Sequence, residues 1–278
     1  MVNKPALCLS LMLLLALATA CTSLDERRLP AQDASDCYVI YDAGSSATRL
    51  FIYEETETGW SQHEGPETDA LADPIRRNRG KSMSDANIVI ADVLLALDDM
   101  RRDGPPDRFG EKEWSAFDWY RQCNVKAAAV YATAGMRLAE KQDARNSALV
   151  WKRLNERLSK KLGMNVTTRT LSEYEEGLYA WLALRELQPD NNFGVAEMGG
   201  VSLQVTFPCQ SCKSARQVRV KDETLPVFSH SFFGWGQDEA WKKYGNVRAC
   251  DRGAGLKISN WQVNDCESVI TGFANASE

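Results

Sequence analysis

Two stretches of the chain place an acidic residue just before glycine and hydroxyl residues, between strand-forming segments. They are "YDAGSSATRLFIY" at 41–53 and "GVAEMGGVSLQVTF" at 194–207. Backbone amides in such turns can surround an anion, and serine or threonine hydroxyls add donors. A carboxylate beside the turn would repel a bare phosphate, so it favours a divalent cation between the two. The repeated pattern indicates a phosphate and metal site, whereas a single such turn would equally fit an ordinary hairpin.

A third glycine turn and two adjacent glutamates could complete this site. "VKAAAVYATAG" at 125–135 predicts a buried strand that ends in a turn of small residues. Ser172 and Glu175 fit the Ser-x-x-Glu capping box at the start of a helix, which gives Glu175 a local role. Glu176 is free of that role and could act as a general base. In the alternative interpretation, both glutamates only favour the helix N-terminus electrostatically.

The segments around these residues alternate between strand and helix patterns. Strand patterns occur at "YVIYD", "RLFIY", "VKAAAVYA", "NVTTRT", on both sides of the Gly-Gly turn, and at "SARQVRV". The predicted helices run over 84–103, over 144–162 with Gly163 as the C-terminal stop, from 172 onward, and over 237–244. The alternation predicts an α/β protein.

The first 20 residues have the composition of an export signal. They contain one lysine, an apolar run and small residues before Cys21. "LATAC" resembles a bacterial lipobox, in which the signal is cut before Cys21 and that cysteine receives a lipid. We therefore expect a signal peptide at 1–20, a lipid-anchored tether at 21–36, and a membrane-attached lipoprotein on the periplasmic or outer side of a cell envelope. The alternative is a secreted protein with a plain signal peptide.

Charge and cysteine content narrow the function classes. The formal net charge is −5, and it becomes −6 without the lysine of residues 1–20, which argues against a nucleic-acid partner. "CQSC" could indicate redox chemistry or half of a metal site, but no second CxxC accompanies it and the chain has 2 histidines. Cys8 and Cys21 lie in the first 21 residues. The cysteines after them are even in number, which in an exported chain predicts disulfides. The candidates are Cys37, Cys123, Cys209, Cys212, Cys250 and Cys266.

Four stretches, in this order, resemble the first four conserved regions of the ectonucleoside triphosphate diphosphohydrolases, or apyrases. They are "DAGSSATR", "YATAGMRL", "SEYEEGLYAW" and "EMGGVSLQVTF", and "FSHSFFGWGQDEAWKKYG" is similar to the segment that follows. The paired acid-glycine hairpins also resemble those of the wider actin-like ATPase superfamily. The resemblance implies an α/β, actin-like or ribonuclease H-like two-lobe ATPase fold. Lobe I would span 37–190 with the first phosphate loop, and a partial lobe II would span 191–278 with the second.

The resemblance also implies a reaction and its residues. Nucleoside tri- and diphosphates would be hydrolysed by direct attack of water on the terminal phosphorus. Glu176 would be the general base, and Ser202 would help it orient the water. Asp42 and Glu197 would hold Mg²⁺ or Ca²⁺ through water. The phosphate-binding residues would be Gly44, Ser45, Ser46, Thr48, Thr133, Ala134, Gly135, Arg137, Gly199, Gly200, Val201 and Gln204.

The cysteines fit an external version of this fold. If the strands that follow Cys37 and Cys123 are parallel neighbours, both cysteines lie at one edge of the sheet and can bridge. Cys209 and Cys212 would lie at a hairpin tip. Cys250 and Cys266 flank a loop, and other pairings remain open.

The sequence departs from the family pattern in three places. Glu197 stands where the family usually has aspartate, one methylene shorter. Arg185 and Glu186 replace a usual Asn-Tyr pair, which we interpret as a change on a solvent-exposed face. The chain ends at Glu278, before the fifth conserved region, and we expect an incomplete second lobe of three strands. Two alternatives to the enzyme follow: a surface nucleotide-binding remnant with impaired turnover, and an exopolyphosphatase, which "ATAGMRL" and the disulfides fit less well.

Overall fold

The computed structural model describes residues 34–78, 84–188 and 192–239. The strands are β1 (Ser35–Ala43), β2 (Ala47–Thr56), β3 (Gly59–Asp69), β4 (Cys123–Ala132), β5 (Thr167–Thr170), β6 (Val195–Met198), β7 (Ser202–Pro208), β8 (Arg216–Val220) and β9 (Glu223–Phe233). The helices are α1 (Asp73–Asn78), α2 (Ser84–Asp99), α3 (Trp119–Gln122), α4 (Ala134–Gln142), α5 (Ala144–Leu162) and α6 (Glu173–Leu187). Within these ranges, no helix is long and apolar enough to cross a membrane.

The first sheet has the strand order β3-β2-β1-β4-β5. β1, β2 and β3 pair antiparallel through short connections, whereas β4 is parallel to β1 and β5 is parallel to β4. Helices lie in the crossover connections, as parallel pairing requires. This mixed α/β arrangement confirms the expected actin-like, ribonuclease H-like fold class.

One face of the first sheet forms the main core of the protein. Alternate residues of β1, including Val39 and Tyr41, point to this face, where α2 and α5 cover them with residues such as Leu97 and Leu154. The buried Tyr41 hydroxyl donates to the Val93 carbonyl at 2.8 Å, so its polar tip is satisfied. The core therefore fixes the direction of β1, whose end carries the first acid-glycine turn.

The second sheet contains four strands in the order β6-β7-β9-β8, and all its pairings are antiparallel. The predicted total of three strands was wrong because β9, "ETLPVFSHSFF", carries a proline and several hydroxyl residues and lacks a clear strand pattern. β3 was missed for a similar reason, since "GWSQHEGPETD" is mostly polar.

Helix α6 packs against the second sheet. Its buried Trp181 contacts the cluster around Val220 and Val227. The boundary predicted from the sequence, at residues 190 and 191, counts this helix with the first lobe, and in the structure the helix contacts the second sheet. α6 therefore carries Glu176 into the space between the two sheets.

The close packing of α6 depends on Gly177. A Cβ atom there would overlap Thr206 Oγ1 and Ser229 Oγ, which share a hydrogen bond of 2.8 Å. We expect Gly177→Ala to lower the free energy of unfolding by about 1–3 kcal/mol through overpacking, although alanine favours a helix by about 1 kcal/mol. Urea denaturation followed by circular dichroism measures this change. A more stable Gly177→Ala protein would contradict the close contact.

The described residues contain two disulfides, of which one pairing was predicted and the other was left open. Cys37 and Cys123 are bonded across the parallel neighbours β1 and β4, as expected. Cys209 and Cys212 are also bonded, but their position at a hairpin tip was wrong, because β9 lies between β7 and β8. The predictions for Cys21, Cys250 and Cys266 lie outside the described residues.

Several helix ends follow the predicted signals. Gly163 ends α5 in the left-handed conformation with φ of 69°, and Ser172 and Glu175 form the predicted capping box of α6. The helix predicted over 84–103 ends earlier, at Asp99. For residues 133–135 the sequence predicted only a turn. In the structure, α4 begins at Ala134, within that segment. The helix predicted over 237–244 begins at residue 237, and its remainder from 240 lies outside the described residues.

The expected solvent position of Arg185 was wrong. This side chain is 6% exposed, forms an ion pair with Glu223 on β9, and lies over the Trp181 ring at 5.2 Å from the ring centroid. A buried guanidinium requires such partners, because an unpaired charge away from water is costly. Arg185 therefore helps to attach α6 to the second sheet, whereas Glu186 remains exposed and pairs with Lys221.

Candidate active site

A cleft of about 660 Å³ opens between the two sheets. The β1–β2 turn and the β6–β7 turn form two of its walls, and the end of β4 and the first turn of α6 contribute the others. Nine of the residues predicted for the site line this cleft: Asp42, Gly44, Ser45, Ser46, Thr133, Glu176, Glu197, Gly199 and Gly200.

The remaining predicted site residues lie behind the cleft wall. They are Thr48, Ala134, Gly135, Arg137, Val201, Ser202 and Gln204, all of them largely buried. Gly135 allows the start of α4 to lie close to the first turn, since a Cβ there would come 2.9 Å from Ser45 Cα. The structure thus gathers every predicted residue around one cleft but separates a lining layer from a supporting layer.

Gly200, in the second turn, is required by close contacts rather than by an unusual backbone conformation. Gly44, Gly199 and Gly200 do not have φ values in the left-handed region. A Cβ on Gly200 would lie 2.5 Å from Asp238 Oδ2 and 2.7 Å from Ser46 Oγ. The space above Gly200 is therefore occupied by groups from two distant parts of the chain.

A hydrogen bond connects these two turns across the cleft. Ser46 Oγ donates to Asp238 Oδ2 at 3.1 Å. The backbone N–H groups of Gln237 and Asp238 each donate at 2.8 Å, to the carbonyls of Gly199 and Gly200 respectively. Residues 237–239 thus attach the second turn to the first.

Glu176 forms a buried ion pair beside the first turn. Arg137 Nη2 lies 2.7 Å from Glu176 Oε2, and each side chain is 11% exposed. Burial raises the pKa of Glu176 above its usual value, while the charge and hydrogen bond of Arg137 act in the opposite direction. A raised pKa improves a carboxylate as a proton acceptor near neutral pH.

Its neighbour Glu175 has a separate, local set of contacts. Its side chain accepts from the Ser172 N–H and hydroxyl, and it pairs with Arg169 at 2.9 Å. Mainly through the hydrogen bond from Arg169, the pKa of Glu175 falls to about 2. The predicted division between a capping glutamate and a cleft-facing glutamate is therefore present.

Two more carboxylates face the same cleft. Burial raises the pKa of Asp42, and burial together with the charges of Glu176 and Asp42 raises the pKa of Glu197 to about 7. In the described part of the chain, no three histidine, cysteine or acidic side chains are close enough to bind a metal together. Carboxylate oxygens are the ligand type that Mg²⁺ and Ca²⁺ prefer, and such ions can also be held through their bound waters.

The raised pKa of Glu197 predicts a pH-dependent stability. The folded state binds more protons than the unfolded chain between about pH 4.5 and about pH 7, so the free energy of unfolding falls as pH rises through this window. Without divalent ions, we expect Glu197→Gln to have a higher melting temperature than the wild type at pH 8, with no advantage at pH 4. Thermal unfolding in a pH series tests this, and equal curves would contradict it.

The second turn is supported by a buried hydrogen-bond network. Gln204 Nε2 donates to Ser202 Oγ at 2.6 Å and to Ser231 Oγ at 3.0 Å. Among the described residues, Gln204 Oε1 and Thr48 Oγ1 are buried without a hydrogen-bond partner. Such atoms are rare and costly, and they are often found where a ligand or water belongs.

Sequence reasoning missed several residues of the cleft. Arg49, Tyr131, Tyr179, Gln237 and Asp238 line it as well. Arg49 ends "DAGSSATR" and Asp238 lies in "GQDEA", so both fall in stretches that carry the resemblance. Their residue types alone gave no signal, because their place in the cleft depends on contacts between distant segments.

Comparisons with known proteins identify the family of this chain. The model of the GDA1/CD39 (nucleoside phosphatase) family matches residues 120–261. A nucleoside-triphosphatase of Caenorhabditis elegans is 26% identical over 75% of this chain and 40% of its own length. Ectonucleoside triphosphate diphosphohydrolase 1 of Mus musculus is 23% identical over 79% of this chain and 45% of its own length. The chain thus spans less than half of the length of these relatives.

A solved structure described as nucleoside triphosphate hydrolases from Neospora caninum is also similar. It is 20% identical, with a TM-score of 0.48, over 82% of this chain and 49% of the other. The family model covers half of the sequence and includes "TAGMR", the α6 glutamates and the second acid-glycine turn. The chain therefore belongs to the GDA1/CD39 (nucleoside phosphatase) family.

Proposed function

We propose that this protein hydrolyses nucleoside tri- and diphosphates by direct attack of water on the terminal phosphorus. The observation that supports this most strongly is the position of Glu176. Its carboxylate lines the same cleft as both acid-glycine turns, although those turns are more than 150 residues apart in the sequence. A general base, two anion-binding turns and acidic residues for a cation are the groups that hydrolysis of a phosphoanhydride bond needs.

In this proposal, Glu176 accepts the proton of the attacking water. Arg137 donates a hydrogen bond to Oε2 of Glu176. This bond orients the carboxylate, and Oε1 would bind the water. Ser202, which lies behind the cleft wall and accepts a hydrogen bond from Gln204, would help Glu176 to orient the water by supporting the second turn. Arg137 and Gln204 thus act by positioning the groups that contact the reactants.

The two turns would bind the phosphates. Ser45, Ser46 and Thr133 offer hydroxyls in the cleft wall, and the glycines allow the phosphates to approach the backbone closely. These groups are fixed by the sheets, so little reorganisation is needed when the negative charge moves during the reaction. The same wall would hold the phosphate that remains on the product.

Asp42 and Glu197 would hold Mg²⁺ or Ca²⁺ through water molecules. When bound, the ion would offset negative charge between the phosphates. Because Glu197 has its pKa raised partly by Asp42 and Glu176, a cation would relieve this repulsion. At pH 8 we expect Mg²⁺ to raise the melting temperature of the wild type more than that of Glu197→Gln. Equal shifts in both proteins would contradict a cation at this position.

We also propose that the mature protein is exported and held at the cell envelope by a lipid on Cys21. The support is the sequence of residues 1–21, together with the disulfides Cys37–Cys123 and Cys209–Cys212, which are typical of proteins outside the cytoplasm. Mass spectrometry of the membrane-extracted protein would detect the lipid, whereas a mature protein that lacks Cys21 would exclude it.

Phosphate release by the purified protein tests the proposed function. Initial rates would be measured with ATP, ADP and a long-chain polyphosphate, each with Mg²⁺, with Ca²⁺ and with a chelator. We expect release from ATP and ADP that requires the divalent ion. Nucleotide binding without release would support the remnant with impaired turnover, and release from polyphosphate alone would support an exopolyphosphatase. Either result would contradict the proposal.

A further inference from the structure

Two exposed aromatic side chains lie at the end of the first sheet that is opposite the cleft. Trp60, near the start of β3, is 61% exposed, and Phe109, in the loop between α2 and α3, is 74% exposed. In the part of the chain that the structure describes, they are the most exposed aromatic side chains. We propose that both rings rest on the surface of a lipid bilayer, with the cleft facing away from it. This inference goes beyond the hydrolysis and rests on the proposed lipid on Cys21.

Strand pairing places Trp60 at this end of the sheet. Asp42 and the first acid-glycine turn are at the end of β1. Trp60 pairs with Glu55 of β2 at the opposite end of the β2–β3 ladder from that turn. Its ring makes an edge contact with the ring of Tyr38, near the start of β1, with the centroids 5.3 Å apart. Trp60 therefore lies beside the start of β1.

The loop that carries Phe109 begins and ends at the same end of the sheet. It leads from α2 to α3, and α3 continues directly into Cys123 of β4, which is bonded to Cys37 of β1. The Phe117 N–H donates to the Met100 carbonyl at 2.7 Å and closes the loop at its base. Phe109 lies at the tip of a hairpin within this loop. The loop therefore presents Phe109 to solvent on the side away from the cleft.

Both side chains suit the headgroup region of a bilayer. The indole of Trp60 combines a large apolar ring with one N–H donor, and the Arg108 guanidinium lies 4.6 Å from the centroid of the Phe109 ring. Aromatic rings with a polar group beside them are enriched at the boundary between lipid and water, where the ring meets acyl chains and the polar group stays hydrated. The two rings would thus lie at headgroup level.

The charged side chains near the two rings are largely paired with each other. Arg101 forms an ion pair with Asp118, and Lys112 forms one with Asp103. Exposed pairs of this kind leave little net charge on the surface that they share. The attraction to the bilayer would therefore come from the aromatic rings, and it should change little with salt concentration.

The proposed anchor brings this end of the protein to the membrane. Residues 22–33 would separate the lipid on Cys21 from Ala34, the first described residue. Even fully extended, a segment of this length spans at most about 45 Å. β1 begins at Ser35, so the chain leaves the folded body beside Trp60. A bilayer that holds the lipid therefore meets this end of the protein first.

This orientation separates the cleft from the charge of the membrane. β1 contains 9 residues, which gives the strand a length of about 30 Å. The first acid-glycine turn would stand about that far above the bilayer. The field of anionic headgroups decays over a Debye length of about 8 Å at physiological ionic strength. A negatively charged phosphate substrate could therefore reach the cleft without repulsion by the lipid surface.

Fluorescence quenching in the full-length, lipid-bearing protein tests the orientation. Trp60→Cys, Phe109→Cys and Ile88→Cys would carry the same thiol-reactive dye, with identically treated wild type as the background. Ile88 is 60% exposed and precedes Val93, whose carbonyl binds Tyr41, so it lies towards the cleft. Vesicles would contain phosphatidylethanolamine and phosphatidylglycerol in equal amounts, with a nitroxide-labelled headgroup. We expect loss of fluorescence at positions 60 and 109 and none at 88. Equal quenching at all three positions, or the strongest quenching at 88, overturns the inference.

Removal of both rings tests whether they hold this orientation. In the double variant Trp60→Ala and Phe109→Ala, the body is free to tilt, so we expect a dye at position 88 to become quenched. Leu95→Ala removes another apolar side chain, 51% exposed on α2, and should leave position 88 unquenched. Circular dichroism verifies that each variant is folded. A dye at position 88 that responds equally to both changes, or to neither, contradicts a role of the rings.

The outcome can be separated from failure of the proposed anchor and of the proposed hydrolysis, because quenching does not require turnover. If the mature protein carries no lipid, its flotation with the same vesicles measures the surface contact alone. We then expect the double variant to bind roughly tenfold or more weakly, because each ring buries apolar area in the bilayer. An unlipidated wild type that does not float, or that floats as well as the double variant, overturns the inference.

Discussion

Glu176→Gln is expected to lower phosphate release from ATP by about 10²- to 10⁴-fold, the usual contribution of a general base. The amide keeps the volume of the side chain and can still accept a hydrogen bond from Arg137, which lies 2.7 Å from the carboxylate. It cannot, however, take a proton from water. Steady-state kinetics with ATP and Mg²⁺ measure the loss, which we expect mainly in kcat because the phosphate-binding turns are unchanged.

Glu175→Gln provides the matched control. The same chemical change at the adjacent position weakens the capping box and removes the ion pair with Arg169. We expect a loss of about 1 kcal/mol of stability, typical of a weakened helix cap, with phosphate release close to that of the wild type. Comparable losses of activity in both variants would mean that the helix terminus, rather than the Glu176 carboxylate, is what the reaction requires.

The largest effect on stability is expected from the Cys37–Cys123 disulfide. This bond closes a loop with a sequence separation of 86 residues. Replacement of both cysteines by serine should lower the free energy of unfolding by about 4–5 kcal/mol, because the unfolded chain regains the entropy of that loop. Urea denaturation of the wild type and the double variant gives the difference.

Cys209 and Cys212 provide the comparison for this effect. Their bond has a sequence separation of 3, and the same entropy argument gives only about 2 kcal/mol for such a short loop. We therefore expect the serine pair at these positions to be clearly more stable than the pair at Cys37 and Cys123. The reverse order would show that strain or residual structure, rather than loop length, determines the contribution of each disulfide.

The effects predicted for Glu176→Gln and for loss of the Cys37–Cys123 disulfide both depend on the position of β1. The disulfide joins the first part of β1 to β4, and the opposite end of the same strand carries Asp42 and the first acid-glycine turn. β4 leads into Thr133 and α4, which supplies Arg137. A bond that stabilises the β1–β4 pair thus also maintains the geometry on which Glu176 and the turns depend.

The sequence alone predicted the features that depend on short-range order. The capping box of α6, the stop at Gly163 and the strands on both sides of each acid-glycine turn follow from neighbouring residues. The Cys37–Cys123 pair could be predicted because each cysteine lies near the start of a strand, and the two strands were assumed to be parallel neighbours. Each of these features requires only a local pattern or one assumption about adjacent strands.

Tertiary structure decided the features that depend on distant segments. The hydrogen bond from Ser46 to Asp238 joins residues 192 positions apart, and the Arg137–Glu176 pair joins residues 39 positions apart. The place of β9 between β7 and β8 and the burial of Arg185 against Glu223 were not visible in the local sequence. Long-range pairing is fixed by burial and by the satisfaction of polar groups over the whole fold, so residue type and local periodicity do not determine it.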